Sequence, residues 1–421
     1  MARIKAIRLL ALKPTKSFYP ADILVVLVAA TLPWSTSLPA ILLVFWVWAI
    51  APATDLPAFR ALMRRPICYL PIGFFALALV GTLWSSTPWQ TRLYSVGPLA
   101  KFLALPLLIH QFQRSSRGPW VFAAFFISCT CLMIYSWIVT IEPQLALKSN
   151  AAYGVPIKNY IDQSQEFALC MIGILYIVIQ DLRDRRFLRA SLLATISLAF
   201  FANMAFVVVS RTAMVAIPFM IAAIVFLHLP RRAMVGVMGG AIVLSFAVWA
   251  GSPGLRERAT RAVAEYQTYK ETNAASSVGL RLEFWRKSLH FWSEAPLIGH
   301  GTGSVKSLFE DAAAGQTGAS AEIIANPHNQ SLYAAVQWGL VGVLLLYGIW
   351  LSHLLLFRGA SPAHWIGLLV VVQNVVTSTF NSHLFDFVPG WIYVFGVGVA
   401  GGMVTASKGP PSRTAAMKAQ Q

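Results

Sequence analysis

Charged residues are scarce in this sequence of 421 residues: only 12% are Asp, Glu, Lys or Arg, while 57% are hydrophobic. Long stretches carry no charge at all, whereas the elements of a soluble domain keep one polar face. These stretches are continuous and rich in Leu, Ala, Val and Phe, without the alternation of a membrane β-barrel. A helix needs about 20 apolar residues to cross a bilayer. The sequence therefore excludes a soluble fold and predicts an all-α polytopic membrane protein.

Cysteine is also rare, and all four cysteines lie inside apolar stretches: Cys68, Cys129, Cys131 and Cys170. This distribution excludes a disulfide framework and a thiolate metal site. Basic residues outnumber acidic ones by 33 to 16, and no Asp-x-Asp pair occurs in the loops predicted to lie outside. Without such a pair to hold a cation, the sequence predicts neither a bound metal nor another cofactor.

The basic residues are instead concentrated in the loops on one side of the predicted membrane bundle. If the N-terminus is cytoplasmic, the short inner loops hold almost all Lys and Arg, and the short outer loops almost none. The net charge of +17 thus indicates orientation in a membrane, and no nucleic-acid partner is predicted. Both termini are predicted to be cytoplasmic, with an uncleaved signal anchor at the start and a disordered tail over residues 406–421.

About twelve spans are predicted, with one large loop between the ninth and the tenth. Residues 1–250 hold spans one to nine, residues 251–330 form the loop, and residues 331–405 hold spans ten to twelve. The charge pattern places this loop outside. The predicted spans are 18–33, 38–50, 68–84, 95–112, 119–141, 163–180, 188–208, 212–229, 233–250, 331–357, 363–380 and 388–405.

The large loop is rich in aromatic residues, which predicts packed structure rather than a linker. We expect helices at about 254–272 and 278–294, the second capped by Ser276 or Ser277 and ended by Pro296. Arg281 lies on the apolar face of the second helix, in line with Trp285, Ser288 and Trp292. Arg286, Lys287, His290 and Glu294 cluster on the other side. Arg281 either snorkels from an interfacial helix or binds an anion such as a phosphate in a dry cleft.

Two further cations are candidates for an anion site. Arg211 is the lone charge between residues 190 and 230, at the predicted outer junction of spans seven and eight. An ionisable group at membrane depth indicates function, although a turn residue facing lipid headgroups is the alternative. Lys101 lies near the outer end of span four, and for it snorkelling explains the position at least as well.

His328 stands between Pro327 and Asn329, directly before span ten, in the stretch "ANPHNQSLYAAVQWGLVG". A histidine at such a place is commonly structural. It is also the side chain best suited to take a proton from a hydroxyl near neutral pH, and it is predicted on the same membrane face as Arg211 and Arg281. The preceding glycine-rich "PLIGHGTGS" lacks the Lys-Ser/Thr of a phosphate-binding P-loop, so it predicts a tight loop beneath the cleft, with His300 solvated.

Arg281 with Trp285, then "PLIGHGTGS", then His328-Asn329 followed after nine residues by Gly339, resembles the O-antigen ligase/Wzy-type polymerase superfamily. The resemblance implies a GT-C-type membrane glycosyltransferase at the periplasmic face of a bacterial inner membrane. It implies an inverting, metal-independent transfer of a glycan from undecaprenyl pyrophosphate. Arg211 and Arg281 would hold the pyrophosphate and His328 would be the general base, with Lys101 and Asn329 as further substrate contacts.

The resemblance favours a ligase of lipopolysaccharide biosynthesis. Its donor would be undecaprenyl-pyrophosphate-linked O-antigen, its acceptor the lipid A-core, and membrane lipids would surround it. A Wzy-type O-antigen polymerase and a protein O-oligosaccharyltransferase are the enzymatic alternatives. A transporter or flippase for a polyprenyl-linked glycan is the non-enzymatic one. Charges clustered at the outer rim favour an enzyme, whereas charges strung through the bundle favour transport.

Overall fold

The computed structural model describes residues 19–148, 153–208, 210–228 and 231–406. The predicted basic N-terminal segment and cytoplasmic tail therefore lie outside the described residues, apart from Ala406. All regular elements within the described ranges are helical, as predicted. The α-helices are α1 Tyr19–Thr31, α2 Ser37–Ile50, α3 Leu56–Met63, α4 Pro66–Val80, α5 Trp89–Val96, α6 Ala104–Phe112, α7 Gly118–Ile141, α8 Tyr160–Gly173, α9 Leu175–Arg183, α10 Phe187–Phe206, α11 Arg211–His228, α12 Arg231–Gly251, α13 Pro253–Thr272, α14 Ser277–Glu294, α15 Val305–Ala313, α16 Gln330–Leu356, α17 Pro362–Thr377 and α18 Phe387–Ala406.

Each predicted span falls on helical structure, but fewer helices reach the length of a crossing. Among the described residues, six helical stretches are long and apolar enough to span a membrane, and seven if the bent pair α2–α3, which turns by 111°, counts as one. Four apolar helices are shorter: α1, α4, α11 and α17. They fall short of the about 20 residues that a straight crossing requires. The predicted number of twelve spans is therefore not confirmed.

The bundle is held together by apolar helices that pack side by side. α18 lies against α6 and α17, α4 lies against α16, and α1 packs on α2 and α7. Their shared core contains large, fully buried side chains such as Trp46, Phe74, Trp338 and Tyr393. Other faces of the same helices expose apolar residues, for example Trp48 and Leu344. Since exposed apolar side chains of this size are stable in lipid, this pattern agrees with a membrane bundle.

The two helices predicted in the large loop are present as α13 and α14. Ser276 caps α14 by accepting a hydrogen bond at Oγ from the amide of Gly279 at 3.1 Å, and the helix ends at Glu294, two residues before Pro296. The sequence did not predict the third helix, α15. α13 and α15 pack on α14, and α14 packs on α16. The polar segment is thus attached to the end of the bundle where α16 begins.

Glu283 locks the position of α14. Its buried carboxylate accepts hydrogen bonds from Arg286 at 2.6 and 2.9 Å, from the Tyr269 hydroxyl on α13 at 2.9 Å, and from Ser320 at 3.0 Å. The hydrogen bonds from Arg286 are the main reason why the pKa of Glu283 is lowered to about 2. A single carboxylate therefore ties together α13, α14 and the segment that precedes α16.

The charged side of α14 is partly covered by the protein. Lys287 is buried, with its ammonium donating to the carbonyls of Ala312 at 3.3 Å and Ser320 at 2.6 Å and lying 5.6 Å from the Phe309 ring centroid. The segment from α15 to residue 320 folds over this face. The helix pattern alone does not reveal such a cover.

α16 is interrupted at Gly339, where φ is 59° and ψ is −151°. The glycine-rich loop pairs with this interruption: Leu340 donates to the Pro296 carbonyl at 2.8 Å, and Gly301 donates to the Gln337 carbonyl at 2.8 Å. A Cβ on Gly339 would overlap the carbonyl group of Leu297. The glycine spacing noted in the sequence thus has a steric cause, since only glycine permits this contact and this φ.

His300 lies in the same loop and corrects one prediction. Its ring nitrogen Nε2 lies 2.7 Å from the Phe291 carbonyl at the end of α14, and its side chain is 23% exposed. The ring is therefore part of the contact between the loop and α14, and it is not a freely solvated group.

Candidate functional site

Three helices begin at one polar pocket. The pocket has a volume of about 110 Å³ and is lined by the first residues of α8, α11 and α14, namely Tyr160, Ile161, Arg211, Thr212 and Ser277, together with Ser210 and Arg281. The first amide groups of a helix have no partner within it, and the helix dipole makes this end positive. Some of these amides are already capped, those of Ile161 and Asp162 by Asn159 and that of Val278 by Glu265. The dipoles of the three helix ends, rather than free amide groups, therefore favour an anion here.

Arg211 and Arg281 both line this pocket, as the sequence predicted for an anion site. Arg281 is half-buried, and burial is the main reason why its pKa lies below the ordinary arginine value; nearby Arg211 lowers it further. Two guanidinium groups this close repel each other, and a bound dianion relieves that repulsion. Each also offers planar, bidentate donors that match phosphate oxygens.

His328 lies outside the pocket but on the same helix surface. Its ring stacks on Phe284, with ring centroids 6.1 Å apart and an interplanar angle of 29°. Phe284 follows Arg281 by three residues on α14, which is about 4.5 Å along the helix axis and nearly the same face. α14 therefore brings the predicted base and the predicted anion ligand to neighbouring positions.

The backbone of His328 is held in an unusual conformation. Its backbone angle φ is +52°, a positive value that residues other than glycine rarely adopt. Asn326 stabilises this turn by accepting a hydrogen bond at Oδ1 from the His328 amide at 2.9 Å, and a second one from the Ser382 hydroxyl at 2.7 Å. A strained residue that is fixed from two sides indicates a functional position.

The imidazole of His328 also has a side-chain partner. Its Nδ1 lies 2.9 Å from Oδ1 of Asn381, and Nδ2 of Asn381 donates to Asp386 at 3.0 Å. His383 contacts the same oxygen of Asp386 through Nδ1 at 3.1 Å. The His328 imidazole, the Asn381 amide and the Asp386 carboxylate thus form a chain of hydrogen bonds. Such chains occur in sites where a base must keep one orientation.

The other two candidate contacts use their polar groups within the protein. Lys101 is buried, and its ammonium donates to the carbonyls of Phe385 and Asp386 at 3.2 and 2.5 Å. Asn329 caps α16 by accepting from the amides of Ser331 and Leu332, and its Nδ2 donates to the Thr379 carbonyl at 3.2 Å. These contacts favour a role in holding the site over direct contact with a substrate.

Several residues of the site were missed by the sequence interpretation. Asn381 and His383 stand in "STFNSHLFDF", between two apolar stretches, and Tyr160 stands at the start of α8. The clustering of Asn, Ser, His and Asp in that short outer segment was a usable signal. Its pairing with His328, 53 residues earlier in the chain, was not visible in the sequence.

Residues 196–347 match the family model described as O-antigen ligase, a range that contains Arg211, Arg281, His328 and Gly339. No curated protein matches the chain. The predicted resemblance is thereby confirmed: the chain is a helical membrane protein that carries a domain of the O-antigen ligase superfamily. This domain supports a ligase- or polymerase-type function, with a lipid-linked polysaccharide as donor and a separate acceptor.

Proposed function

We propose that the protein transfers an O-antigen polysaccharide from undecaprenyl pyrophosphate to a sugar hydroxyl of lipid A-core. The transfer takes place at the periplasmic face of the inner membrane and inverts the configuration of the transferred sugar. Arg211 and Arg281 hold the pyrophosphate, and His328 is the general base. The observation that carries this proposal is the pocket in which both arginines meet three helix N-termini.

The pocket supports the chemistry of a pyrophosphate leaving group. In the proposed step, Nε2 of His328 takes the proton of the acceptor hydroxyl while its oxygen bonds to the anomeric carbon of the donor. The bond from that carbon to the pyrophosphate oxygen breaks, and its electron pair goes to the pyrophosphate. Preorganised cations and amide dipoles stabilise this charge as it develops. The arginines thus supply the stabilisation that a metal ion supplies in other glycosyl transfers.

The proposal includes a topology. We infer twelve crossings in a GT-C-type arrangement, with the shorter helices α1, α4, α11 and α17 tilted or completed by adjacent residues. Residues 251–330 then form a periplasmic segment that covers a cleft over the bundle. The thiol introduced by Lys270→Cys on the exposed surface of α13 should react with a membrane-impermeant maleimide added to intact spheroplasts. Labelling of this thiol only after the inner membrane is opened would place the segment in the cytoplasm.

A deletion strain tests the reaction. Loss of the protein should abolish lipopolysaccharide that carries O-antigen, and polymerised O-antigen should accumulate on its lipid carrier. Single O-units on the carrier would identify a polymerase instead, and normal lipopolysaccharide with an unglycosylated protein would identify a protein O-oligosaccharyltransferase. Complementation with His328→Ala should fail although the variant is present at normal level, because removal of a general base costs about 10²–10⁴ in rate.

A flippase for the same lipid-linked glycan is the non-enzymatic candidate. The position of Arg211 and Arg281 at helix starts, and not in the middle of a span, argues for a reaction at one rim of the bundle. In a deletion strain, loss of a flippase would leave the lipid-linked glycan in the cytoplasmic leaflet, whereas loss of a ligase leaves it in the periplasmic leaflet.

A further inference from the structure

The hydrogen bonds around His328 can be completed in only one way, and the starting point is the carboxylate of Asp386. An ionised carboxylate only accepts. Its Oδ2 is contacted by Nδ2 of Asn381 at 3.0 Å and by Nδ1 of His383 at 3.1 Å. Both of these nitrogens therefore carry the hydrogen.

His383 agrees with this assignment at its other nitrogen. Its Nε2 lies 3.3 Å from the amide nitrogen of Gln165, which is a donor, so Nε2 accepts and Nδ1 donates to Asp386. The ring is buried, and both of its nitrogens have a partner.

The amide of Asn381 then has a fixed orientation. Its nitrogen must face Asp386, because the reverse orientation would place its oxygen against a carboxylate. Its oxygen therefore faces Nδ1 of His328 at 2.9 Å and can only accept. It follows that Nδ1 of His328 carries the hydrogen, so that Nε2 is the nitrogen without hydrogen whenever the ring is neutral.

The segment that carries Asn381 is itself held in place. Lys101 donates to the carbonyls of Phe385 and Asp386, and the amide of Leu384 donates to Gln330 at 3.0 Å. Lys101 is buried, so its contacts are not shared with bulk water. Lys101, which lies directly before α6, thus anchors the segment that carries Asn381, whose Oδ1 faces His328.

We propose that Asn381 is a positioning residue that fixes the Nδ1–H tautomer of His328 and keeps Nε2 free to accept a proton. His383 and Lys101 support it through Asp386 and the neighbouring backbone. The consequence for transfer rests on the proposed function. When Nε2 takes the proton of the acceptor, the new positive charge is stabilised by the Asn381 amide, which Asp386 polarises.

The tautomer can be measured without any activity assay. Protein labelled with ¹⁵N-histidine is reconstituted in liposomes, and the imidazole signals that vanish in His328→Ala are assigned to His328 among the eight histidines. We expect a protonated Nδ1 and an unprotonated Nε2. Asn381→Leu should remove this preference.

Asn374→Leu is the matched control. This asparagine on α17 accepts a hydrogen bond from the Trp350 indole at 3.1 Å and is not linked to His328, so its loss should leave the His328 signals unchanged. In a transfer assay, Asn381→Leu should lose at least about tenfold in turnover, up to the about 10⁴-fold that a wrong tautomer costs a serine protease.

A protonated Nε2 in the unmodified protein, or an unchanged tautomer in Asn381→Leu, would overturn the inference. The result is separable from the proposed function. If the tautomer is as expected but His328→Ala still transfers O-antigen, Asn381 positions the ring and the assignment of His328 as base is wrong.

Discussion

Replacement of Gly339 by alanine should lower both the free energy of unfolding and the transfer activity. Gly339 has a φ of 59° and a ψ of −151°, a combination that is almost confined to glycine and costs other residues about 1–3 kcal/mol. The added Cβ would also overlap the Leu297 carbonyl and lie 2.6 Å from the Ile298 amide nitrogen, so the loop must move away.

That movement breaks the pairing between the loop and α16. The hydrogen bonds from Leu340 to Pro296 and from Val341 to Leu297 are lost, at about 0.5–1.5 kcal/mol each. With the backbone strain, the expected loss is about 2–6 kcal/mol. The first part of α16, which follows His328, loses its support, so transfer activity should fall as well.

Gly348→Ala is the matched control, because Gly348 lies on the same helix and its Cβ would make only an ordinary contact, 3.5 Å from Leu70. It should be neutral or slightly stabilising, since alanine favours the helix by up to about 1 kcal/mol. Denaturant unfolding of purified protein in mixed micelles, together with a transfer assay, measures both effects. If Gly339→Ala unfolds within about 0.5 kcal/mol of the unmodified protein, as a bland surface substitution does, the steric argument is wrong.

Three further outcomes are expected. Transfer by purified protein should persist in excess EDTA, and loss of activity that magnesium or manganese restores would contradict the role given to the arginines. Arg281→Lys should lower turnover by up to about 10²–10³-fold, because a point charge replaces a planar donor, while Arg261→Lys on the exposed surface of α13 should not. Glu283→Gln should cost about 1.5–3 kcal/mol of stability at pH 7. Since the folded pKa of Glu283 is depressed to about 2, its contribution is present above about pH 4.5 and is lost as the pH falls toward 2, so the unfolding free energies of the two proteins should converge there.

The helices were predictable because their signals are local. Continuous apolar stretches placed most bundle helices, although α3 and most of α5 lie between the predicted spans. Ser276 and Pro296 set the ends of α14 to within a residue or two. The membrane-crossing length of the shorter helices was not predictable, since an apolar loop residue looks the same as a helical one. The pairing of Arg211 with Arg281 was anticipated from charges in apolar surroundings, and the pocket contains both.

The partners of the site residues were not predictable, because they come from distant parts of the chain. Asn381 reaches His328 only because α17 returns beside α16, and Lys287 is buried only because the segment after α15 covers it. The sequence shows the chemistry of a charged or amide side chain. It does not show which residue that side chain contacts in the folded protein. Such contacts depend on tertiary packing that overrides the local pattern.

The interruption at Gly339 divides α16 into two parts that are held in place by different contacts. The part after Gly339 must match the thickness of the hydrocarbon layer, which differs among membranes and is accommodated by tilt. The part next to His328 is additionally held by the loop 296–301 and by α14. We therefore expect a change in bilayer thickness to alter the tilt of the part after Gly339 more than the position of His328.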